Sequence, residues 1–224
     1  MRIAIMQPYF YPYAGYFRLL YSADIFVALD CVQFPRRGWV HRNQLHDQTG
    51  QRNWISLPLL KSNRDTTRIC DLKFNSDAKK LFLDQSRRFP CLTHIERTNH
   101  SLYDLLTNFE LDPVTYIINH IKLVNNWLGI EKEIIRSSSL PIPTDLHGQD
   151  RIIAITKELG GKEYINLSGG RKIYSGEAFT QEGLSLRFLQ EYSGSFDSML
   201  ERILSQEAES IKSELIENTI FLDP

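Results

Sequence analysis

Residues 1–17 read M-R-I-A-I-M-Q-P-Y-F-Y-P-Y-A-G-Y-F. Residues 2–6 are an apolar run short enough for a buried strand, and residues 14–22 carry Phe17, Leu20 and Tyr21 at helical spacing. Between them Pro8, Pro12 and Gly15 break the chain into a loop. A strand that breaks into a Pro/Gly loop and then a helix opens a parallel α/β unit, and ligands in such sheets bind at the carboxyl ends of strands, where this loop sits. The rings of Tyr9, Phe10, Tyr11, Tyr13 and Tyr16 crowd it, and two readings follow. Either they pack the top of the sheet, or they line a rigid pocket in which phenols supply both stacking area and hydroxyl groups. On the second reading Gln7, Pro8, Phe10, Tyr13, Gly15 and Tyr16 are binding candidates. Gly15 stands at the helix start, where a missing side chain lets a phosphate approach amides that attract anions.

Working outward, residues 23–29 (A-D-I-F-V-A-L) are a second apolar run, followed by a polar, cationic loop over 30–44. Residues 52–58 and 66–74 have strand composition and are expected to pair as a hairpin. A helix is expected over 77–89, stopped by Pro90. Asp112-Pro113 opens another, with Val114, Ile117, Ile118, Ile121, Val124 and Leu128 on one face and Gly129 as its cap. The alternation then resumes: strand 133–138, helix 149–159, strand 162–167, a helix containing Ala178 and Phe179, strand 184–190, and a helical tail over 196–218. The expected fold is α/β, a Rossmann-like, mainly parallel sheet in a single domain over 1–224, with a helical insertion at 75–130 and a helical C-terminal tail.

Composition narrows the class of function. The 224 residues carry a formal net charge of −1, with 42% hydrophobic and 24% charged side chains, which argues against bulk attraction to nucleic acid. The three cysteines Cys31, Cys70 and Cys91 are isolated and lack CxxC spacing, as expected of reduced thiols in a cytoplasmic protein. No apolar run reaches membrane-spanning length. The spacing of histidines and cysteines assigns no metal ligands.

Two further segments carry chemistry. Residues 36–44 read R-R-G-W-V-H-R-N-Q, a dense set of donors for phosphate or carboxylate beside a stacking ring. If this segment is extended, Trp39, His41 and Asn43 share one face, and Asp30 is available to orient His41 or pair with an arginine. Otherwise it is a solvated basic loop. Residues 166–174 read N-L-S-G-G-R-K-I-Y directly after a strand. Two glycines, a hydroxyl and two cations can fold into an anion-binding nest, or form a Gly-Gly turn with surface cations. The spacing fits neither GxGxxG nor the Walker pattern. This loop and the Gly15-containing loop after the first strand, from opposite halves of one sheet, are expected to face each other across a shared crevice.

The stretches I-A-I-M-Q-P-Y-F-Y-P-Y-A-G-Y-F, D-x-V-Q-F, R-G-W-V-H-R-N, Y-I-N-L-S-G-G and G-L-S-L-R-F resemble, in order, the WbqC-like protein family over nearly the whole chain. That resemblance implies a bacterial protein tied to polysaccharide and O-antigen gene clusters, where modified amino sugars are made. A weaker layout similarity links the chain to pantothenate-synthetase-type ATP-dependent ligases. Their His-x-Gly-His box corresponds to Tyr13-Ala14-Gly15-Tyr16, with tyrosines for both histidines, and their later serine-rich loop to L-S-G-G-R-K-I-Y.

Together these readings imply an enzyme, a transferase or ATP-dependent amide ligase of surface-polysaccharide precursor synthesis. It would move an acyl or aminoacyl group from its donor onto an amino sugar linked to a nucleotide. In the ATP version, with magnesium, Gly15 holds phosphate while Ser168, Gly169, Gly170, Arg171 and Lys172 stabilise the transferring group. Arg36, Trp39 and Arg42 grip the nucleotide-linked sugar, with Asn43 and Asn166 as further binding residues. His41 is the candidate base, and His41, Ser168 and Arg171 form the catalytic set. The alternatives are a glycosyltransferase, although the chain lacks Asp-x-Asp, and a non-catalytic sugar-nucleotide-binding or assembly protein.

Overall fold

Near-continuous apolar runs must be buried on both faces, and parallel strands are the elements that permit it. In a computed structural model of the chain, which describes residues 1–35, 37–63 and 66–224, two such runs, residues 2–6 and 25–28, lie side by side among the five parallel strands of a six-stranded sheet. In chain order the elements begin with β1 (Arg2–Met6), α1 (Ala14–Ser22), β2 (Ile25–Ala28) and an antiparallel pair, β3 (Arg42–His46) and β4 (Arg52–Ser56). Helices α2 (Ala78–Ser86), α3 (Pro90–Thr98), α4 (His100–Thr107) and α5 (Pro113–Trp127) come next. The chain continues through β5 (Glu133–Arg136), α6 (Gly148–Glu158), β6 (Glu163–Leu167), α7 (Gly176–Gln181) and β7 (Ser185–Leu189). It closes with α8 (Met199–Ser205), α9 (Ala208–Glu217) and β8 (Phe221–Leu222).

The sheet order is β5-β2-β1-β6-β7-β8, parallel except for β8, which runs antiparallel to β7. Side chains alternate across it. Ala4, Phe26, Ala28, Ile165 and Leu189 face a cluster that includes Phe17 and Leu20 of α1, Ile117 and Ile121 of α5, and Ile211 and Leu215 of α9. Ile3, Ile5, Val27, Tyr164 and Phe188 face a second cluster with Ile152 and Ile155 of α6 and Phe179 of α7. Among the parallel strands, connections stepping one way along the sheet run over the first face and those stepping back run over the second, while α8 and α9, which lead to antiparallel β8, return to the first. In the parallel part that switch of face keeps every crossover of one hand.

Three expectations are corrected. The partner of β4 is β3, carved from the segment read as loop, because Leu45 and Ile55 can then share one buried face. Residues 66–74 instead hold a 3-10 turn, Ile69–Asp71, with isolated bridges at Arg68 and Phe74. Pro90 starts α3 rather than merely ending α2, since a proline at the first helical position loses no hydrogen bond. Of the two roles read for Asp30, the structure shows the pairing with an arginine, Arg136 at the end of β5. The buried carboxylate accepts from Arg136 Nε (2.7 Å), Ser137 Oγ (3.0 Å), Ser138 Oγ (2.8 Å) and the Ser138 amide (2.8 Å), joining the carboxyl ends of β2 and β5.

Candidate functional site

Strand order reverses between β1 and β6, and there the two strands part. β1 pairs with β2 as far as Met6↔Ala28, but with β6 only from Arg2↔Glu163 to Ala4↔Ile165, although β1 runs to Met6 and β6 to Leu167. This divergence is the crevice of an open α/β sheet. The Leu167 amide, at its rim, donates to Asn166 Oδ1 (2.8 Å), so the buried Asn166 satisfies its own backbone.

The loop after β1 is largely core. Phe10, Tyr11 and Tyr16 are buried, and the Tyr16 hydroxyl donates to the Gln7 carbonyl (3.0 Å). Pro8 is buried and Gln7 half-buried. Tyr11 has φ +46°, a left-handed conformation that costs a non-glycine residue on the order of 1 kcal/mol. Its carbonyl is held by Asn43 Nδ2 and by Ser198 Oγ (2.9 Å). Asn43 also donates to the Phe10 carbonyl (3.2 Å) and Ser198 Oγ (3.1 Å), while its Oδ1 accepts from the Gln44 amide (2.7 Å) and Tyr9 hydroxyl (3.4 Å). Both donors and the acceptor are spent inside the protein, so Asn43 positions the loop.

The start of α1 is covered as well. The Met199 amide donates to the Pro12 carbonyl (3.1 Å), and Tyr13 forms a bridge with Ser198. A Cβ on Gly15 would lie 2.2 Å from the Tyr13 ring and 2.8 Å from that of Tyr192. This glycine admits ring packing where a phosphate was expected.

An open surface lies beside the loop. A turn at residues 39–41 breaks the extended segment expected there, so Asn43 points inward while Trp39 sits with Arg42 on the outer side. Trp39 and Trp54 are 43% and 40% exposed. Their ring centroids are 4.8 Å apart, and Tyr9 lies 5.5 Å from Trp39. The Arg42 guanidinium stands 4.1 Å from the Trp54 ring centre, its Nε fixed by the Gly38 carbonyl (3.0 Å). Burial raises the Tyr9 phenol pKa, so it stays protonated at neutral pH. An exposed row of rings with a guanidinium stacked on it offers faces for a sugar or base and charge for a phosphate. By sequence Tyr9 is marked only among the rings of its loop, and Trp54 is not singled out. Trp54 joins the site only through its register opposite Gln44.

The remaining candidates have other surroundings. His41 lines a cavity of about 780 Å³ with Phe34, Leu57, Lys61, Asp84 and Arg88. Ser168–Lys172 is a 3-10 turn, and neither Gly169 nor Gly170 has positive φ, so the alternating handedness of an anion nest is absent. Gly170 is packed: a Cβ there would lie 2.5 Å from Asn166 Nδ2. Arg171 leans toward the sheet edge, donating to the Asp223 carbonyl (2.9 Å), and Lys172 is exposed. Arg36 lies outside the described residues. Among the described residues no group of three or more potential metal ligands occurs, and no helix is long and apolar enough to cross a membrane.

The model of the WbqC-like protein family matches residues 7–200. An uncharacterized protein of Mycobacterium tuberculosis, Rv1507c, is 33% identical over 63 residues, 28% of this chain and 27% of that protein. The match thus spans little more than a quarter of that relative's length. No solved structure matches.

Proposed function

The chain belongs to the WbqC-like protein family, and from that premise we propose that it acts in making bacterial surface-polysaccharide precursors, transferring an acyl or aminoacyl group to an amino sugar carried on a nucleotide. The family is associated with polysaccharide gene clusters, and the observation that carries the reading further is the row Tyr9–Trp39–Trp54, exposed at its two tryptophans, with Arg42 upon it. A nucleotide-linked sugar presents a planar base, the apolar face of a pyranose and a diphosphate. The row supports stacking, and Arg42 answers the diphosphate as a planar, permanently charged donor. The proposal does not run through Gly15 or Gly170, whose missing side chains are accounted for by packing.

Tryptophan fluorescence titration tests it, using a UDP-linked amino sugar, UDP alone and the free amino sugar as probes. Quenching is expected to be tightest with the nucleotide-linked amino sugar. Trp39→Ala and Arg42→Ala are each expected to weaken binding roughly tenfold or more, the equivalent of about 1.4 kcal/mol. Equal affinity for wild type and both variants would place the sugar elsewhere.

A further inference from the structure

The carboxyl ends of β2 and β5 frame a second cavity, of about 480 Å³, which the reading above leaves unused. Its wall includes Cys31, Arg68, Cys70, Ser138, His147 and Arg151. Cys31 follows β2 by three residues and is half-buried. Arg151, in the first turn of α6, is only 6% exposed. Its Nε donates to the Leu146 carbonyl (2.7 Å) and its Nη2 to the Thr144 carbonyl (2.9 Å), which locks the guanidinium plane. Its Nη1 lies 2.9 Å from Cys31 Sγ.

The charge balance gives this contact its meaning. Among the described residues none of the hydrogen-bond partners of Arg151 is a carboxylate. The adjacent carboxylate, Asp30, is already taken up by Arg136 and two serine hydroxyls. Among the described residues this buried, fixed guanidinium therefore spends one N–H on a sulfur that faces the cavity, and a planar donor so placed can orient that sulfur and hold charge that develops on it. The other cysteine of the cavity is held differently: burial, with Asp71 adding, pushes the Cys70 thiol up to about 11. Cys91, outside the cavity, is pushed up to about 12 by its burial.

We propose that Cys31 is a nucleophilic thiol that accepts an acyl group from an acyl thioester, held for attack by Arg151 as a positioning residue. The class of chemistry rests on the acyl-transfer reading above, but the site does not depend on the sugar shelf. In the first step the Cys31 thiolate attacks the thioester carbonyl. A carbon–Sγ bond forms, the donor's carbon–sulfur bond breaks, and the departing thiolate takes up the proton Cys31 has lost. In the second step an amine attacks the Cys31 thioester. A carbon–nitrogen bond forms, the Cys31 thiolate departs toward Arg151, and the amine gives up a proton, for which His147 supplies an imidazole on the same wall.

The test incubates the full chain with the acetyl thioester of N-acetylcysteamine and reads intact mass, peptide map and hydroxylamine lability. One hydroxylamine-labile acetyl group on Cys31 is expected, and none in Cys31→Ala. Iodoacetamide is expected to modify Cys31 faster than Cys70 at neutral pH, because burial and Asp71 hold the Cys70 thiol protonated. The rate of Cys31 acetylation by the thioester should fall in Arg151→Gln and be largely restored in Arg151→Lys, with Cys70 alkylation unchanged in both. Absence of the adduct, an adduct on Cys70 or Cys91 instead, or an unchanged acetylation rate in Arg151→Gln would overturn the proposal. If Cys31→Ala still acylates an amino-sugar nucleotide, the thiol role falls and the transfer reading stands. If Cys31 takes up acetyl but no amino sugar receives it, the thiol stands and the acceptor falls.

Discussion

His120 lies fully buried in α5, its Nδ1 2.7 Å from the Tyr116 carbonyl one turn back. A carbonyl only accepts, so Nδ1 carries the proton of the neutral ring, and Nε2 has no partner among the described residues. Burial lowers its pKa to about 4, partly offset by that bond, against an ordinary value of about 6.5. The unfolded chain therefore binds a proton that the folded chain refuses between those two values. This contribution to stability is complete above about pH 6.5 and is lost as pH falls toward 4. Between pH 7 and pH 5 it amounts to about 2 kcal/mol. Guanidinium unfolding at the two pH values is expected to show a smaller difference in His120→Leu than in wild type by about that amount. An unchanged difference would mean that the ring is already charged at pH 5.

At the scale of the element, α1 shows two preferences in competition. Gly15→Ala raises helix propensity by at most about 1 kcal/mol, and less so near the N-terminus. The added methyl must displace the rings of Tyr13 and Tyr192, 2.2 and 2.8 Å from its position, and such overpacking costs about 1–3 kcal/mol. The second effect is larger, so the variant is expected to be less stable by about 1–2 kcal/mol, read as a lower denaturation midpoint with the slope unchanged. Equal or greater stability would mean that the rings move aside freely. The extent of α1, over residues 14–22, was legible in the spacing of its apolar residues. That rings rather than a phosphate occupy the space at Gly15 was not, because Tyr192 reaches it from across the fold. The same limit applies to β3: its pattern of a buried Asn43 and Leu45 becomes strand-like only when β4 lies beside it.

Across the whole molecule, Arg18 connects the first helix to the last quarter of the chain. Only 1% exposed, it donates to the carbonyls of Gly15 (3.3 Å), Gln190 (3.0 Å) and Asn218 (2.6 Å), and it lies over the Tyr192 ring. Arg18→Met keeps much of the volume but leaves buried carbonyls without donors, at about 1–3 kcal/mol for each group so orphaned. For a chain of this size each kcal/mol shifts the melting temperature by about 2–4 °C. A drop of at least about 6 °C is expected in calorimetry, and a drop below about 1 °C would show that these carbonyls find other donors. By itself the sequence determined the parallel α/β class, the positions of most strands and helices, and three segments rich in chemistry. Local spacing and burial periodicity are written in neighbouring residues, and the long helix from Asp112 to Gly129, with both its ends marked, is the clearest case. Only the tertiary structure decided what those segments face. It turned Asn43 and Asn166 inward to serve the backbone, placed Trp54 beside Trp39, and brought Arg151 to the sulfur of Cys31, 120 residues away in the chain. Contacts of that kind depend on strand order and register, which arise from packing distant elements together and leave no periodic trace in the sequence.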